Sequence, residues 1–158
     1  MTPAINVARK AGIKHTLHEY KHDPGHESYG LEAAEKMGVE PARVFKTLIV
    51  ATETKELLVG IVPVSAMLNM KQIAKAAGAK KAAMAAAADV QRSSGYVLGG
   101  VSPLGQKKAL RTFIDASAQH FDTIFASAGR RGLEIELAAA DLAALTRGSF
   151  ANIADEEH

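Results

Sequence analysis

The sequence predicts a single domain of the α/β (α+β) class, with helices flanking a mixed, mainly antiparallel sheet. Short runs of strand-forming residues alternate with helical segments along the whole chain. Several connections between these runs have the length of hairpin loops, which favours antiparallel neighbours over a doubly wound parallel sheet. The 158 residues show no internal repeat and no linker, and this length suits one domain with a full core.

Residues that typically begin and end helices define the elements of the first half. Thr2-Pro3 is a cap with proline in the first turn, and glycine follows each predicted helix, at positions 12, 38 and 78. The segment His22-Asp23-Pro24-Gly25 is a strong turn signal. The predicted elements are, in order, a helix at 3–11, a strand at 13–20, a helix at 31–37, strands at 45–50 and 56–62, and a helix at 70–77.

An alanine-rich run makes the second half harder to divide. Residues 82–88 are nearly all alanine, so no boundary between strand and helix can be placed there, and residues 89–94 are predicted to continue a helix. Residues 95–108 form a glycine-rich loop. The remaining predictions are strands at 110–114 and 123–125, a turn at 127–132, a strand at 133–137, a helix at 139–145, a strand at 149–153 and a frayed acidic tail at 154–158.

One strand carries a lysine near its start, in the segment Phe45-Lys46-Thr47-Leu48-Ile49-Val50. In an extended chain, side chains alternate between the two faces. Lys46, Leu48 and Val50 point to one face, and Phe45, Thr47 and Ile49 point to the other. If the Leu48 and Val50 face forms the core, Lys46 enters it from the rim, as a fixed charge at the mouth of a pocket. A lysine at a strand end also commonly reaches out to water, so this segment alone leaves both interpretations open.

Composition excludes several classes of protein. The chain has no cysteine, which rules out disulfides, thiolate zinc sites and a cysteine nucleophile, and fits a reducing cytoplasm. We expect no secretory signal and no membrane association, because no apolar run approaches the roughly 20 residues of a membrane span. Residues 61–111 hold 8 basic residues and one acidic residue, a net charge of +7, whereas residues 112–158 carry −5. The basic segment forms either one face for a phosphate-bearing partner or scattered surface charge.

Three familiar chemistries fit the sequence poorly. The histidines at 15, 18, 22 and 26 lack a carboxylate at a recognisable ligand spacing, so we expect no metal site. Gly100 and Gly105 have the spacing of a P-loop, but Gln106 stands where the required lysine would be. No serine lies in a Gly-x-Ser-x-Gly motif, which argues against a serine hydrolase. The glycine loop itself can present backbone N–H groups to an oxyanion, or simply form a tight turn.

Several stretches together resemble the YbaK/ProX family of aminoacyl-tRNA deacylases, and within it the bacterial YbaK type. They occur in the family's order and cover nearly the whole chain. The matching stretches are His22-Asp23-Pro24, Val44-Phe45-Lys46-Thr47-Leu48, Val62-Pro63-Val64, Lys71 with Ala74-Lys75-Ala76, Gly95-Tyr96, Gly99-Gly100-Val101-Ser102-Pro103-Leu104-Gly105, Ser127-Ala128-Gly129-Arg130-Arg131-Gly132-Leu133 and Asp141-Leu142.

The resemblance implies one editing domain over residues 1–158, built on a barrel-like mixed sheet with flanking helices. It implies an enzyme that removes cysteine from mischarged Cys-tRNA(Pro) in trans, alongside prolyl-tRNA synthetase and without a cofactor. The oligomeric state stays open. Two alternatives also remain: an editing domain for another small amino acid such as alanine on tRNA(Pro), and a non-catalytic module that binds tRNA or the synthetase.

The resemblance also implies site residues. The invariant lysine of the family falls on Lys46, which together with Gly100 and Val101 forms the expected catalytic set. Glu134 stands where the family more usually has aspartate. The expected substrate-binding residues are Tyr20, Tyr29, Thr47, Gly99, Ser102, Pro103, Ser127, Gly129 and Glu134. Weaker contacts to tRNA phosphates are expected from Lys71, Lys75, Lys80, Lys81, Lys107 and Lys108.

Overall fold

A computed structural model describes residues 1–26 and 28–156 and shows a mixed α/β domain. This confirms the predicted fold class. The described helices are α1 (Pro3–Ala11), α2 (Tyr29–Met37), α3 (Met70–Ala77), α4 (Ala87–Ser94) and α5 (Ala139–Thr146). The described strands are β1 (His15–Glu19), β2 (Val44–Thr52), β3 (Leu57–Pro63), β4 (Ala66–Leu68), β5 (Ala82–Met84), β6 (Arg111–Asp115), β7 (Ile124–Arg130), β8 (Leu133–Leu137), β9 (Ser149–Ala151) and β10 (Ala154–Glu156).

The main sheet is mixed, as predicted, and β2 lies near its centre. Its strand order is β1-β8-β7-β2-β3-β6-β9, and β5 pairs with β2 as well. Strands β2 and β3 form an antiparallel hairpin, with Phe45 opposite Pro63 and Ala51 opposite Leu57. On its other side, β2 pairs in parallel with β7, where Phe45 lies opposite Ala126. Strand β2 therefore carries Lys46 into the middle of the sheet.

Apolar clusters cover both faces of strand β2. Phe45 and Ile49 belong to the largest apolar cluster, together with residues of α1, α5 and the glycine loop. Val50 lies on the opposite face in a second cluster with Ile73 of α3, and Leu48 packs against that cluster. Because apolar side chains are buried on both faces, six of the nine residues of β2 are apolar, including the consecutive run Leu48-Ile49-Val50-Ala51.

A third cluster sits under helix α2 and positions the site. Ala33 and Ala34 of α2 pack on Val44 of β2 and Phe125 of β7. Small residues on this face let the helix lie close to the strands. The helix begins at the Ser28 cap, whose side-chain oxygen accepts a hydrogen bond from the Leu31 amide, and ends at Gly38 in the left-handed conformation.

Four stretches differ from the sequence-based prediction. Residues 127–132 were expected to form a turn, but β7 continues to Arg130 through an irregularity in its pairing with β8, and only the Arg131-Gly132 pair turns the chain. The alanine-rich run divides into β5 and α4. Part of the expected acidic tail forms β10, which pairs with the unpredicted β4, whereas Glu157 and His158 lie outside the described residues. A short 3₁₀ helix occurs at Ala116–His120, where no helix was predicted, and another at Pro41–Arg43 leads into β2.

In the part of the chain that the structure describes, no helix is both long and apolar enough to cross a bilayer.

Candidate active site

Strand register places three polar side chains in neighbouring positions on the face of the sheet that α2 covers. Ser127 of β7 lies directly opposite Glu134 of β8. The pairing of Phe45 with Ala126 puts Lys46 beside Ser127 on the adjacent strand. Side chains alternate along a strand, so Lys46 shares the face of Val44, and Ser127 shares the face of Phe125. A lysine, a hydroxyl and a carboxyl therefore occupy adjacent positions on this face.

These three residues line a cavity of about 260 Å³ between α2, the strands and the glycine loop. Most of its walls are apolar, contributed by α2, β2 and the two loops that flank the opening. The lining residues are Tyr20, Ser28, Tyr29, Gly30, Ala33, Val44, Phe45, Lys46, Thr47, Leu48, Val64, Leu98, Gly99, Val101, Ser127, Arg131 and Glu134.

Eight of the twelve catalytic and substrate-binding residues expected from the sequence line this cavity. They come from six separate segments, and the fold brings them together around one opening. The eight are Tyr20, Tyr29, Lys46, Thr47, Gly99, Val101, Ser127 and Glu134.

The other four expected residues, Gly100, Ser102, Pro103 and Gly129, do not line this cavity. The Gly100 amide already donates a hydrogen bond to the Val97 carbonyl, so it is not an available oxyanion donor. Ser102 has no exposed surface, and its hydroxyl accepts a hydrogen bond from the Leu104 amide. Pro103 is buried beside it. Gly129 has a φ of +115°, and a Cβ there would lie 2.9 Å from Thr2.

Burial favours the neutral form of the Glu134 carboxyl group. Only 6% of the residue is exposed, and this burial raises the pKa of Glu134 to about 8. In its protonated form this carboxyl can donate a hydrogen bond to a bound molecule. Burial, together with the nearby Glu134 and Glu32, raises the pKa of Tyr20 to about 12, so its hydroxyl also stays protonated and able to donate.

Thr47 contributes a polar atom with an unmet hydrogen-bonding requirement. Its Oγ1 is buried and has no hydrogen-bond partner among the residues that the structure describes. Such an atom carries a desolvation cost of about 1–3 kcal/mol. Buried polar atoms without partners are rare. Thr47 lines the cavity, and the alternation along β2 puts its side chain on the face of Phe45 and Ile49, opposite to that of Lys46.

Arg131 is the main residue of the site to which the sequence analysis assigned no role. Its guanidinium donates through Nε and Nη2 to Oε1 of Glu32, at 3.2 and 3.0 Å. The same Nη2 reaches the carbonyl of Asp23 at 2.6 Å, and the guanidinium lies 4.2 Å from the centre of the Tyr29 ring. One side chain thus ties the Asp23 loop and the start of α2 to the β7–β8 turn. No local signal reveals this pairing, because Arg131 and Glu32 are 99 positions apart.

The six lysines expected to contact tRNA lie away from the cavity lining. All six are exposed. Lys71 and Lys75 share one side of α3, and Lys80 and Lys81 follow that helix, with their amides bonded to the Glu53 carboxylate. The amides of Lys107 and Lys108 donate to the carbonyls of Ser94 and Ser93 at the end of α4.

No group of three or more His, Asp or Glu side chains suited to a metal ion occurs within residues 1–26 and 28–156. His18, one of the clustered histidines, lies 2.9 Å from Oε1 of Glu136. That carboxylate also accepts a hydrogen bond from the Thr123 hydroxyl at 2.5 Å.

Comparisons with known proteins identify the family. Residues 24–145 match the model of the aminoacyl-tRNA editing domain. The chain is 35% identical to EbsC of Enterococcus faecalis, described as a candidate Cys-tRNA(Pro)/Cys-tRNA(Cys) deacylase, over 99% of this chain and 94% of that protein. It is 30% identical to YwhH of Bacillus subtilis, a protein of uncharacterised function, over 70% of each.

Solved structures share the fold at lower identity. The crystal structure of the protein APE2540 has a TM-score of 0.87 and 22% identity, covering 98% of this chain and all of that one (100%). A candidate trans-editing enzyme for prolyl-tRNA synthetase has a TM-score of 0.80 and 20% identity, covering 98% and 99%. The matched region includes all the strands that carry the cavity's polar side chains, and on these grounds the chain belongs to the aminoacyl-tRNA editing domain family.

Proposed function

We propose that this protein is a trans-editing deacylase that removes cysteine from mischarged Cys-tRNA(Pro). The observation that carries the proposal is the cavity in which Lys46, Ser127 and Glu134 stand side by side, within the fold of an aminoacyl-tRNA editing domain. The substrate follows the description of EbsC, which is 35% identical over nearly the full length of this chain.

In this proposal, Lys46 holds the end of the tRNA. A lysine ammonium is a compact point charge that binds phosphate well. Lys46 is half-buried at the cavity wall, where a 3′-terminal phosphate or ribose oxygen can approach it while the aminoacyl group enters between α2 and the sheet. The Val101 amide remains the proposed donor to the oxyanion, since the Gly100 amide is engaged by Val97.

The substrate supplies the nucleophile. The cysteine thiol, with an unperturbed pKa of about 8.5, is partly ionised near neutral pH and is a stronger nucleophile than any side chain in the cavity. Its sulfur attacks the carbonyl carbon of its own ester and forms a cyclic thioester. The bond to the ribose oxygen breaks, and that oxygen takes up the proton released by the thiol. Water then opens the cyclic thioester to give free cysteine.

Selectivity in this scheme comes from chemistry rather than from size. A cavity of about 260 Å³ is large enough for an alanine or a cysteine residue alike, so its volume does not choose between them. Alanine has no thiol and cannot cyclise. Neutral Glu134 and Tyr20 act as hydrogen-bond donors that orient the ester, and no protein base is required.

The proposed partners are the mischarged tRNA and prolyl-tRNA synthetase, which meet this protein in the cytoplasm. Residues 61–111, with a net charge of +7, provide exposed lysines for tRNA phosphates outside the cavity. Binding through such contacts weakens steeply as salt concentration rises. Neutralising Lys71 and Lys75 together would reduce the salt dependence of tRNA binding without changing the cleavage step.

The test is a deacylation assay with tRNA(Pro) charged with cysteine, alanine or proline. We expect rapid loss of cysteine only, and a loss of activity of at least about a hundredfold in Lys46→Ala. Lys10→Ala, an exposed lysine at the end of α1, is the matched control and should behave as the wild type. Preferential loss of alanine would reassign the substrate, and tRNA binding without any deacylation would assign a non-catalytic binding module.

A further inference from the structure

The mouth of the cavity exposes apolar side chains, which is unusual for a polar substrate. Tyr29 is 44% exposed and Leu98 is 62% exposed, and both line the cavity. Val97, next to Leu98, is 61% exposed. Tyr29 and Leu98, here named the mouth platform, therefore place an aromatic ring and an aliphatic side chain where a ligand enters. Clustered exposed apolar groups of this kind mark binding sites.

Tyr29 is held in place from several sides. The Arg131 guanidinium stacks on its ring at 4.2 Å and is itself fixed by the buried Glu32 carboxylate. A Cβ at Gly99 would lie 2.7 Å from Cε2 of Tyr29, so the ring rests directly against the glycine backbone. At Gly30 a Cβ would lie 2.3 Å from Val64, which shows how closely the first turn of α2 approaches the sheet. An aromatic ring fixed in this way loses little conformational entropy when a ligand stacks on it.

The platform's second member is held by the turn of the glycine loop. The Gly100 amide donates to the Val97 carbonyl at 3.0 Å, and Gly99 adopts a φ of +92°. This turn leaves Leu98 exposed, next in the chain to Gly99, whose backbone lies against the Tyr29 ring. The hydrogen bond from the Gly100 amide to the Val97 carbonyl therefore closes a turn that shapes the outer wall of the mouth.

We propose that the mouth platform binds the 3′-terminal adenine of the tRNA by stacking. The proposal rests on the proposed function, in which the aminoacyl ester enters the cavity. That ester is attached to the ribose of the terminal nucleotide, so the base of the same nucleotide must lie just outside. Nucleobases stack on aromatic side chains and guanidinium planes, and each such contact is worth a 5- to 150-fold change in affinity, by order of magnitude. A phosphate, by contrast, would gain nothing from Tyr29 and Leu98.

The test compares two uncleavable probes. One is 3′-cysteinylamino-3′-deoxyadenosine, whose amide replaces the ester, and the other is the same amide on a ribose that lacks the base. We expect the wild type to bind the nucleoside at least about fivefold more tightly. Tyr29→Ala and Leu98→Ser should each lose most of this preference, whereas Tyr29→Phe should keep it. Met67→Ala, which truncates an exposed apolar side chain on β4 outside the cavity, is the matched control.

Equal binding of the two probes by the wild type, or an unchanged preference in Leu98→Ser, would overturn the proposal. If Cys-tRNA(Pro) is still deacylated in that case, the proposed function stands and only the adenine site is lost. If neither probe binds and no tRNA is deacylated, both proposals fall. Sedimentation velocity tests whether a second copy of the chain occupies the platform instead. A wild-type dimer that Leu98→Ser disrupts, together with equal binding of the two probes, would assign the platform to that dimer interface.

Discussion

The Arg131 guanidinium lies 3.0 Å from Oε1 of Glu32, a carboxylate with no exposed surface. Oε2 of the same carboxylate accepts the Asp23 amide at 2.7 Å, so both of its oxygens are satisfied. The pair links α2 to the β7–β8 turn across the opening of the cavity. Burial opposes the ionisation of Glu32, but the Asp23 amide and Arg131 outweigh it and lower the pKa of that carboxyl.

Replacing Arg131 with Met should therefore destabilise the fold. The substitution leaves a buried carboxylate without its cation, and we expect the free energy of unfolding to fall by about 3 kcal/mol. The double variant Arg131→Met with Glu32→Gln removes the charge as well and should recover part of that loss. Urea denaturation of the three proteins at pH 7 measures both effects. A double variant no more stable than the single one would show that the unpaired charge is not the cause.

The same pair predicts a pH dependence. A carboxyl whose pKa is lowered in the folded state stabilises the fold above its unfolded pKa of about 4.5, and that stabilisation is lost as pH falls through the folded value. The wild type should therefore exceed Arg131→Met in free energy of unfolding by the largest amount at about pH 6–7, and this difference should shrink toward about pH 3. Denaturation curves at several pH values check this, and a constant difference would contradict it.

Glu134 predicts the opposite pH dependence. Its pKa is raised to about 8 by burial, so the folded state keeps a proton that the unfolded state releases near pH 4.5. The stabilisation linked to this proton is complete below pH 4.5 or so and is lost as pH rises through about 8. Glu134→Gln cannot ionise and should gain stability relative to the wild type between pH 5 and 9, roughly the window set by these two values. Unfolding midpoints of the wild type and Glu134→Gln are measured at about pH 5, 7 and 9. Midpoints of the two proteins that change in parallel with pH would contradict the assignment.

Gly30→Ala tests the close approach of α2 to the sheet. The new Cβ would lie 2.3 Å from Cγ1 of Val64, a distance that forces the helix or the valine to move. We expect a loss of about 1–3 kcal/mol from this overpacking. In a Val64→Ala background the clash disappears, so the same glycine substitution should cost much less. Thermal or urea unfolding of the four proteins forms the cycle, and equal costs in both backgrounds would remove the contact as the explanation.

Local signals predicted most of the fold, because the chain marks its helices clearly. The capping residue Thr2 and the stop at Gly12 gave the bounds of α1, and the run around Lys46 gave the central strand. Predictions failed where tertiary pairing decides the structure. Strand β10 exists because it pairs with β4, and β7 runs past Ser127 because β8 lies alongside it. The local composition of these segments does not indicate which strands they pair with.

The sequence allowed the polar residues of the candidate site to be predicted, but not the contacts that hold the walls of the cavity in place. Lys46, Ser127 and Glu134 were named through the family resemblance, and strand register explains why they lie together. The pairing of Arg131 with Glu32 spans 99 positions, and only the fold reveals it. In the glycine loop, Gly100 was expected to be an oxyanion donor. Its amide instead donates a hydrogen bond to the Val97 carbonyl and closes a turn.

Thr47→Val tests whether the buried hydroxyl binds substrate, because removing it should raise stability in either case and should lower activity only if the hydroxyl contacts the substrate. Removing the buried Oγ1, which has no partner among the described residues, should raise the free energy of unfolding by about 1 kcal/mol. If that hydroxyl also binds the substrate, deacylation should fall by about tenfold in kcat/KM in the same variant. Thr47→Ser keeps the hydroxyl and loses a methyl group, so it should be less stable but more active than Thr47→Val. A valine variant that is both more stable and fully active would remove Thr47 from the site, whereas the pairing of higher stability with lower activity would show a polar group retained for binding at a cost to folding.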